Sequence, residues 1–466
     1  MSTLLKFGFV LGLSVVNAIF GLGQDSLNMI RLAQWNDTTL PVASPGNLKV
    51  RYSGCWGLAV NGREYAILGG ARHVLVFDVT VPTDPQLVGK FEGTTSTVWR
   101  EFKSYKNRVY AVSDATTEGL MIIDFSRAPD SIVQTYFSNE LFSSAHTITL
   151  DTVSGRIYLN GSNIAIQGLA ILDVSQDPDR PVLIGKYALP GGYVHDSYVR
   201  GDTLYASCGF NGYFIYDCRN AGVEAPKTIA SLPPTGGYHH NSWLSSDGRY
   251  AYLTEEIPWG RPILVVDLEK MADNDLVIRT SFLDPLLPPD GTYAIPHNVY
   301  IKDNLLFNSQ YEDGLLVYDI SNPVEPKLIA YYDTHPQNTT YNTYFGCWGN
   351  YPWLPSGTII AGDMQNGLQL LRLKEAVGKQ LELKQVLVRL YPNPATDFLH
   401  VRWEGSAFPA RVRLWNAVGQ LAFDQLWPEG KETLLIPTVH LPAGLYTAEF
   451  LIPFYPSINQ RIAILH

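Results

Sequence analysis

The feature that most constrains the fold is a repeat of about fifty residues. One unit reads Val74-Leu75-Val76-Phe77-Asp78-Val79-Thr80, followed by Pro82, Pro85 and Gln86-Leu87-Val88-Gly89. Another reads Leu315-Leu316-Val317-Tyr318-Asp319-Ile320-Ser321, followed by Pro323, Pro326 and Lys327-Leu328-Ile329-Ala330. Further copies end at Asp124, Asp173, Asp217 and Asp267, so successive marker aspartates stand 46, 49, 44, 50 and 52 residues apart. That period is too long for the shorter helical repeats and suits four strands with their turns. No copy carries a 3.6-residue apolar period, so the unit is all-β.

Each part of the unit has a physical task. The apolar run before Asp reads as a strand buried on both faces, because neighbouring sheets pack against it. The aspartate can end the strand by accepting backbone N–H bonds in the turn that follows. The prolines then block further ladder pairing, and the short run after them reads as an outer strand. A seventh unit lacks the marker: Phe345 to Trp353, Thr358 to Ala361 and Gly367 to Leu373 supply three strands and no outer one. Met29 to Trp35 resembles the outer strands elsewhere. It is expected to complete the seventh blade and close the ring, which removes an exposed sheet edge. The expected fold is all-β: a seven-bladed β-propeller over residues 25–373, then a small immunoglobulin-like β-sandwich.

The repeat core with its downstream prolines resembles the LVIVD repeat of bacterial surface propellers. This resemblance implies fold and surface location, with no established reaction. Residues 374–385 read as a polar linker. After them, Tyr391-Pro392-Asn393-Pro394-Ala395-Thr396-Asp397, the Asn416-Ala417-Val418-Gly419-Gln420 turn and Pro442-Ala443-Gly444-Leu445-Tyr446 make residues 386–466 similar to the C-terminal sorting domain of type IX secretion. That likeness implies the type IX machinery of a gram-negative cell as a partner. It also implies passage across the outer membrane and attachment to surface lipopolysaccharide. The chain departs from the family pattern at Ile464-Leu465-His466, where a basic strand is usual. At the other end, Lys6 precedes an apolar run from Phe7 to Val16 with small and polar residues after it. Residues 1–23 thus read as a signal peptide, since a membrane helix needs roughly 20 apolar residues. The expected location is secreted or on the outer cell surface.

Composition narrows the partners. The formal net charge is -10 and no basic patch occurs, which argues against nucleic acid. The four cysteines form no CxxC pair and no zinc spacing. Cys55 and Cys347 share the setting Gly-Cys-Trp-Gly, and a disulfide between them would lock the ring beside its closure. The Gly-Gly pairs precede no helix, so they are turns rather than phosphate loops, and no nucleophile elbow is present.

One column carries candidate chemistry. Aligning the first strand of each blade places Trp56, Arg100, His146, His195, His240, His297 and Trp348 in a ring at the central channel. The next column holds Gly57, Glu101, Thr147, Asp196, Asn241, Asn298 and Gly349. Imidazoles from four consecutive blades, with carboxylates beside them, suit zinc, copper or iron at His146, His195, His240 and His297. The same residues could equally hydrogen-bond the neighbouring blade and fix the ring, with Arg100 and Glu101 as an ion pair. The functional expectation is a binding, interaction or structural module for an unidentified protein or small molecule. The alternative is a metal-dependent oxidase or hydrolase at the channel.

Overall fold

The computed structural model describes residues 26–43, 48–286, 294–337, 343–374, 387–404, 409, 411–428, 431–451 and 457–466. The expected signal peptide and all but the first residue of the expected linker lie outside these residues. The described chain is all-β apart from one 3-10 turn at Met271–Asp273.

Seven antiparallel sheets form the propeller; the first six run outward in chain order, and the seventh takes its outer strand from the N-terminal part of the chain. Their innermost strands are Tyr52–Val60, Arg100–Tyr105, Thr147–Asp151, Asp196–Arg200, His239–Leu244, Asn298–Lys302 and Cys347–Tyr351. Each packs beside the next, and Cys347–Tyr351 packs beside Tyr52–Val60, so the ring closes. The outer strand of the seventh blade is Met29–Trp35, which pairs antiparallel with Gly367–Leu373 from Met29 opposite Leu373 to Trp35 opposite Leu368. Just before it, Ser26–Leu27 pairs with the outer strand of blade 6. Asn28 bridges the two at φ 50°, and its amide donates to the Ile329 carbonyl at 2.7 Å. An asparagine tolerates this left-handed backbone better than most residues.

The marker aspartates end their strands as the chemistry of the side chain dictates. Asp78, Asp124, Asp173, Asp217, Asp267 and Asp319 each accept the N–H two residues on, at 2.6 to 3.0 Å. The outermost pairing of every blade also carries at least one register shift, in the N-terminal strand between Arg31 and Ala33. Such a bulge adds twist at the rim. Its recurrence in Met29–Trp35 shows that this strand obeys the same geometry as the six others.

The C-terminal residues build a separate two-sheet sandwich. One sheet holds Leu387–Tyr391, Phe398–Glu404 and Thr433–Pro437; the other holds Leu421–Leu426, Arg411–Asn416, Gly444–Leu451 and Ile458–Ile464. Trp403, Val412, Leu414, Phe450 and Ile464 fill the space between them. The sequence motifs act as fasteners. Asn393 accepts from the Ala463 N–H at 2.9 Å and donates to the Arg461 carbonyl at 3.2 Å. Asn416 closes its turn by accepting from Val418 and Gln420. The Tyr446 hydroxyl donates to the Pro442 carbonyl at 2.7 Å.

Candidate functional site

Pairing register sets the height of each residue in the channel. Three layers follow from it. The top layer holds His146, His195, His240, His297 and Trp348. The middle layer holds Glu101, Thr147, Asp196, Asn241 and Asn298, and the lower one Lys103, Tyr198, Trp243, Tyr300 and Tyr351.

Two of the expected ring members lie elsewhere. Trp56 pairs with Ile67 as Tyr198 pairs with Tyr205, so it stands three positions deeper than expected and Ser53 takes its place. The cause is a nine-residue first strand with a register shift between Tyr52 and Cys55. Trp56 belongs to the aromatic floor, in edge contact with Tyr351 at 5.0 Å and Tyr300 at 6.1 Å. The same slip sets Cys55 level with Asn350 rather than Cys347. All four cysteines are buried free thiols, with no bond between Cys55 and Cys347. Arg100 has the expected height but turns away from the channel. Its guanidinium grips Glu118 at 2.6 and 3.1 Å and donates to the Gly70 and Thr95 carbonyls. Its carboxylate partner is Glu118, not Glu101.

The four histidines do form a continuous arc. Adjacent imidazole centroids stand 4.4, 4.3 and 4.2 Å apart from His146 to His297, and Trp348 follows at 4.6 Å. The Nδ1 of His195 bonds the His240 carbonyl at 3.0 Å, and the Nδ1 of His240 bonds the His297 carbonyl at 2.9 Å. His297 makes the corresponding bond to the Trp348 carbonyl. A carbonyl only accepts, so each Nδ1 carries the proton and, in the neutral ring, each Nε2 keeps its lone pair. Burial holds these rings neutral: His195 and His240 lie well below the usual histidine range and His297 is driven to about 3. Neighbouring imidazoles add to the depression at His195 and His240. His146 differs, because its Nδ1 meets the Asp114 carboxylate at 2.8 Å.

Beneath the arc the middle layer stitches blades 3 to 6. Asp196 accepts from Thr147 at 2.9 Å and from Asn241 at 2.7 Å, and Asn241 in turn accepts from the Val299 N–H. Glu101 accepts from the Trp348 indole at 2.8 Å. A small polar chamber results, lined by Glu101, Lys103, Asp196, Asn298, Tyr300 and, above them, His146, His240 and His297. The Lys103 ammonium stands over the Trp56 ring at 4.3 Å and donates to the Phe102 carbonyl. Burial lowers the Lys103 pKa and raises that of Glu101, while each charge partly offsets the other's shift.

One functional candidate escaped the sequence reading. Glu256 sits just past the second strand of blade 5, with a carboxylate oxygen 3.9 Å from His240 Nε2. Tyr311 occupies the same place in blade 6 and donates its buried hydroxyl to Glu256 at 2.9 Å. Aligning the ends of the second strands, as well as the starts of the first, would have exposed this column. Aromatic rings flank the site: Tyr238 lies edge-on to His195 at 5.1 Å with Phe210 outside it, and Tyr344 packs on Tyr311 with Trp259 outside it. Phe210 is 56% exposed and Trp259 39%, so both reach solvent.

Comparison with known families gives two matches. Residues 297–334 match the LVIVD repeat, and residues 389–452 match the secretion system C-terminal sorting domain. No curated protein matches the chain. The sorting domain marks the chain for type IX export, so the protein is secreted or on the cell surface.

Proposed function

We propose that this exported LVIVD-repeat propeller is a ligand-binding module whose site is the aromatic-flanked end of its central channel. The observation that carries the reading is the polarity of that end. The Nε2 atoms of three neutral histidines and the Glu256 carboxylate are all acceptors, while the flanking groups are aromatic faces. Such a surface selects a small molecule that presents hydrogen-bond donors and an apolar ring face, the chemistry of a carbohydrate. The test is a titration of the full chain with soluble mono- and oligosaccharides, followed by tryptophan fluorescence and calorimetry. Binding that weakens about tenfold or more in the double variant Phe210→Ala, Trp259→Ala, each truncation removing roughly 1 kcal/mol or more of contact, supports the reading. Binding unchanged in that variant, or no binding across the panel, overturns it.

A second reading, a metal-dependent oxidase or hydrolase, draws support from the chamber. Buried Glu101 and Lys103 with opposed shifts are what a site for proton transfer requires. Lys103→Met would abolish turnover on any such substrate while leaving sugar binding at the flanking rings intact. Retained turnover in that variant counts against the enzyme. Attachment to lipopolysaccharide after export belongs with these proposals, supported by the sorting domain alone.

A further inference from the structure

We propose that His240, His297 and Glu256 form a divalent transition-metal site in which His146 takes no part. The inference rests on the reading that this end of the channel is the functional end, and it replaces the four-histidine set by two histidines and a carboxylate.

Geometry comes first. The ligand atoms of these three residues all lie within 4.8 Å of one another. Zinc takes imidazole nitrogen and carboxylate oxygen at about 2.0–2.2 Å, which sets neighbouring donor atoms roughly 3 to 3.5 Å apart. The 3.9 Å between His240 Nε2 and Glu256 therefore closes with a small rotation of the glutamate side chain. Among the described residues no other group of three His, Cys, Asp or Glu ligand atoms gathers so closely.

The surroundings are already those of a ligand set. A metal-bound histidine usually donates its second ring N–H to a carbonyl or carboxylate, which fixes tautomer and orientation. His240 and His297 do this through Nδ1 to the carbonyls of the next blades. The Glu256 carboxylate is held by the Tyr311 hydroxyl. These bonds are already made in the metal-free chain, so the lone pairs are oriented before any ion arrives.

The donor set selects the ion. Two imidazoles and one carboxylate suit zinc or iron(II), leave coordination positions open and lack the oxygen cage that calcium requires.

Zinc and cobalt(II), titrated into the metal-stripped full chain, test this directly. The expected result is one equivalent per chain by elemental analysis, with cobalt d–d absorption in the visible. Glu256→Gln, His240→Asn and His297→Asn should each weaken affinity about 100-fold or more, and Tyr311→Phe, which removes an outer partner, about 10-fold. His146→Ala should leave affinity unchanged. Thermal melts on each variant separate lost ligation from lost folding, and Glu256→Gln keeps the acceptor that Tyr311 needs. Absence of stoichiometric metal, or affinity lost in His146→Ala and retained in Glu256→Gln, overturns the proposal. If saccharides bind the metal-free chain, the ligand-binding reading survives that failure. If metal binds and no saccharide does, the metal site stands alone.

Discussion

At the residue scale, one imidazole does two kinds of work. Nδ1 ties a blade to its neighbour and Nε2 faces the channel, so the structural and chemical readings of the histidine column are compatible. The arrangement has a pH signature. Folded His195, His240 and His297 resist protonation, whereas unfolded histidine titrates near about 6.5. The stability they contribute is complete above that value and is lost as pH falls toward about 3, where His297 itself titrates. Urea unfolding in a chelating buffer should show stability declining between about pH 6 and pH 4. His195→Gln, which keeps a donor but does not titrate, should make that slope shallower by up to about 1.4 kcal/mol per pH unit. The Arg100–Glu118 pair is a second test, with both side chains only 3% exposed. Glu118→Gln strands a buried guanidinium and should cost about 3–5 kcal/mol in chemical denaturation. The histidine column was legible because a repeat displays equivalent positions in line. Glu256 was hidden because it lies outside that line and reaches His240 only when the second strand folds back.

At the element scale the decisive piece is Met29–Trp35. It is the last strand of the ring although it precedes every other strand of its blade in the chain, and Trp35 carries it onto blade 1 through Phe77 at 4.7 Å and Tyr52 at 6.2 Å. Removing residues 26–35 would bare the edge of Gly367–Leu373, whose Leu368, Leu370 and Leu371 are fully buried. Exposed apolar edges pair with other chains. The truncated protein should therefore elute as oligomers in size-exclusion chromatography with light scattering. Trp35→Ala keeps the ladder and should elute as the intact chain does, losing about 2–4 kcal/mol of stability. The strand was readable from its likeness to other outer strands. The outer bulges were not, because no residue type marks them: they answer to the twist that seven packed sheets impose. Blade 1 shows the converse error. Gly-Cys-Trp-Gly occurs twice, yet Trp56 lies in the floor and Trp348 in the ring, because strand length and a bulge set height where local words do not.

For the whole molecule, the sandwich core shares no buried residue with the clusters of the propeller, the expectation for two folding units. Calorimetry should resolve separate transitions, and deleting residues 387–466 should move the propeller's stability by no more than about 0.5 kcal/mol, as independent sites do. A single transition lost as a whole on that deletion would contradict it. The chain's pattern alone determined the all-β class, the repeat, the seven-blade count and the export tag, because strand burial, Asp-ended turns and tag motifs are local and recur. Tertiary structure alone decided which side chains share a height in the channel. It turned Arg100 onto Glu118, lowered Trp56 into the floor, kept Cys55 apart from Cys347 and brought Glu256 to His240. Those outcomes depend on register and bulges, which arise only when seven sheets close around one axis.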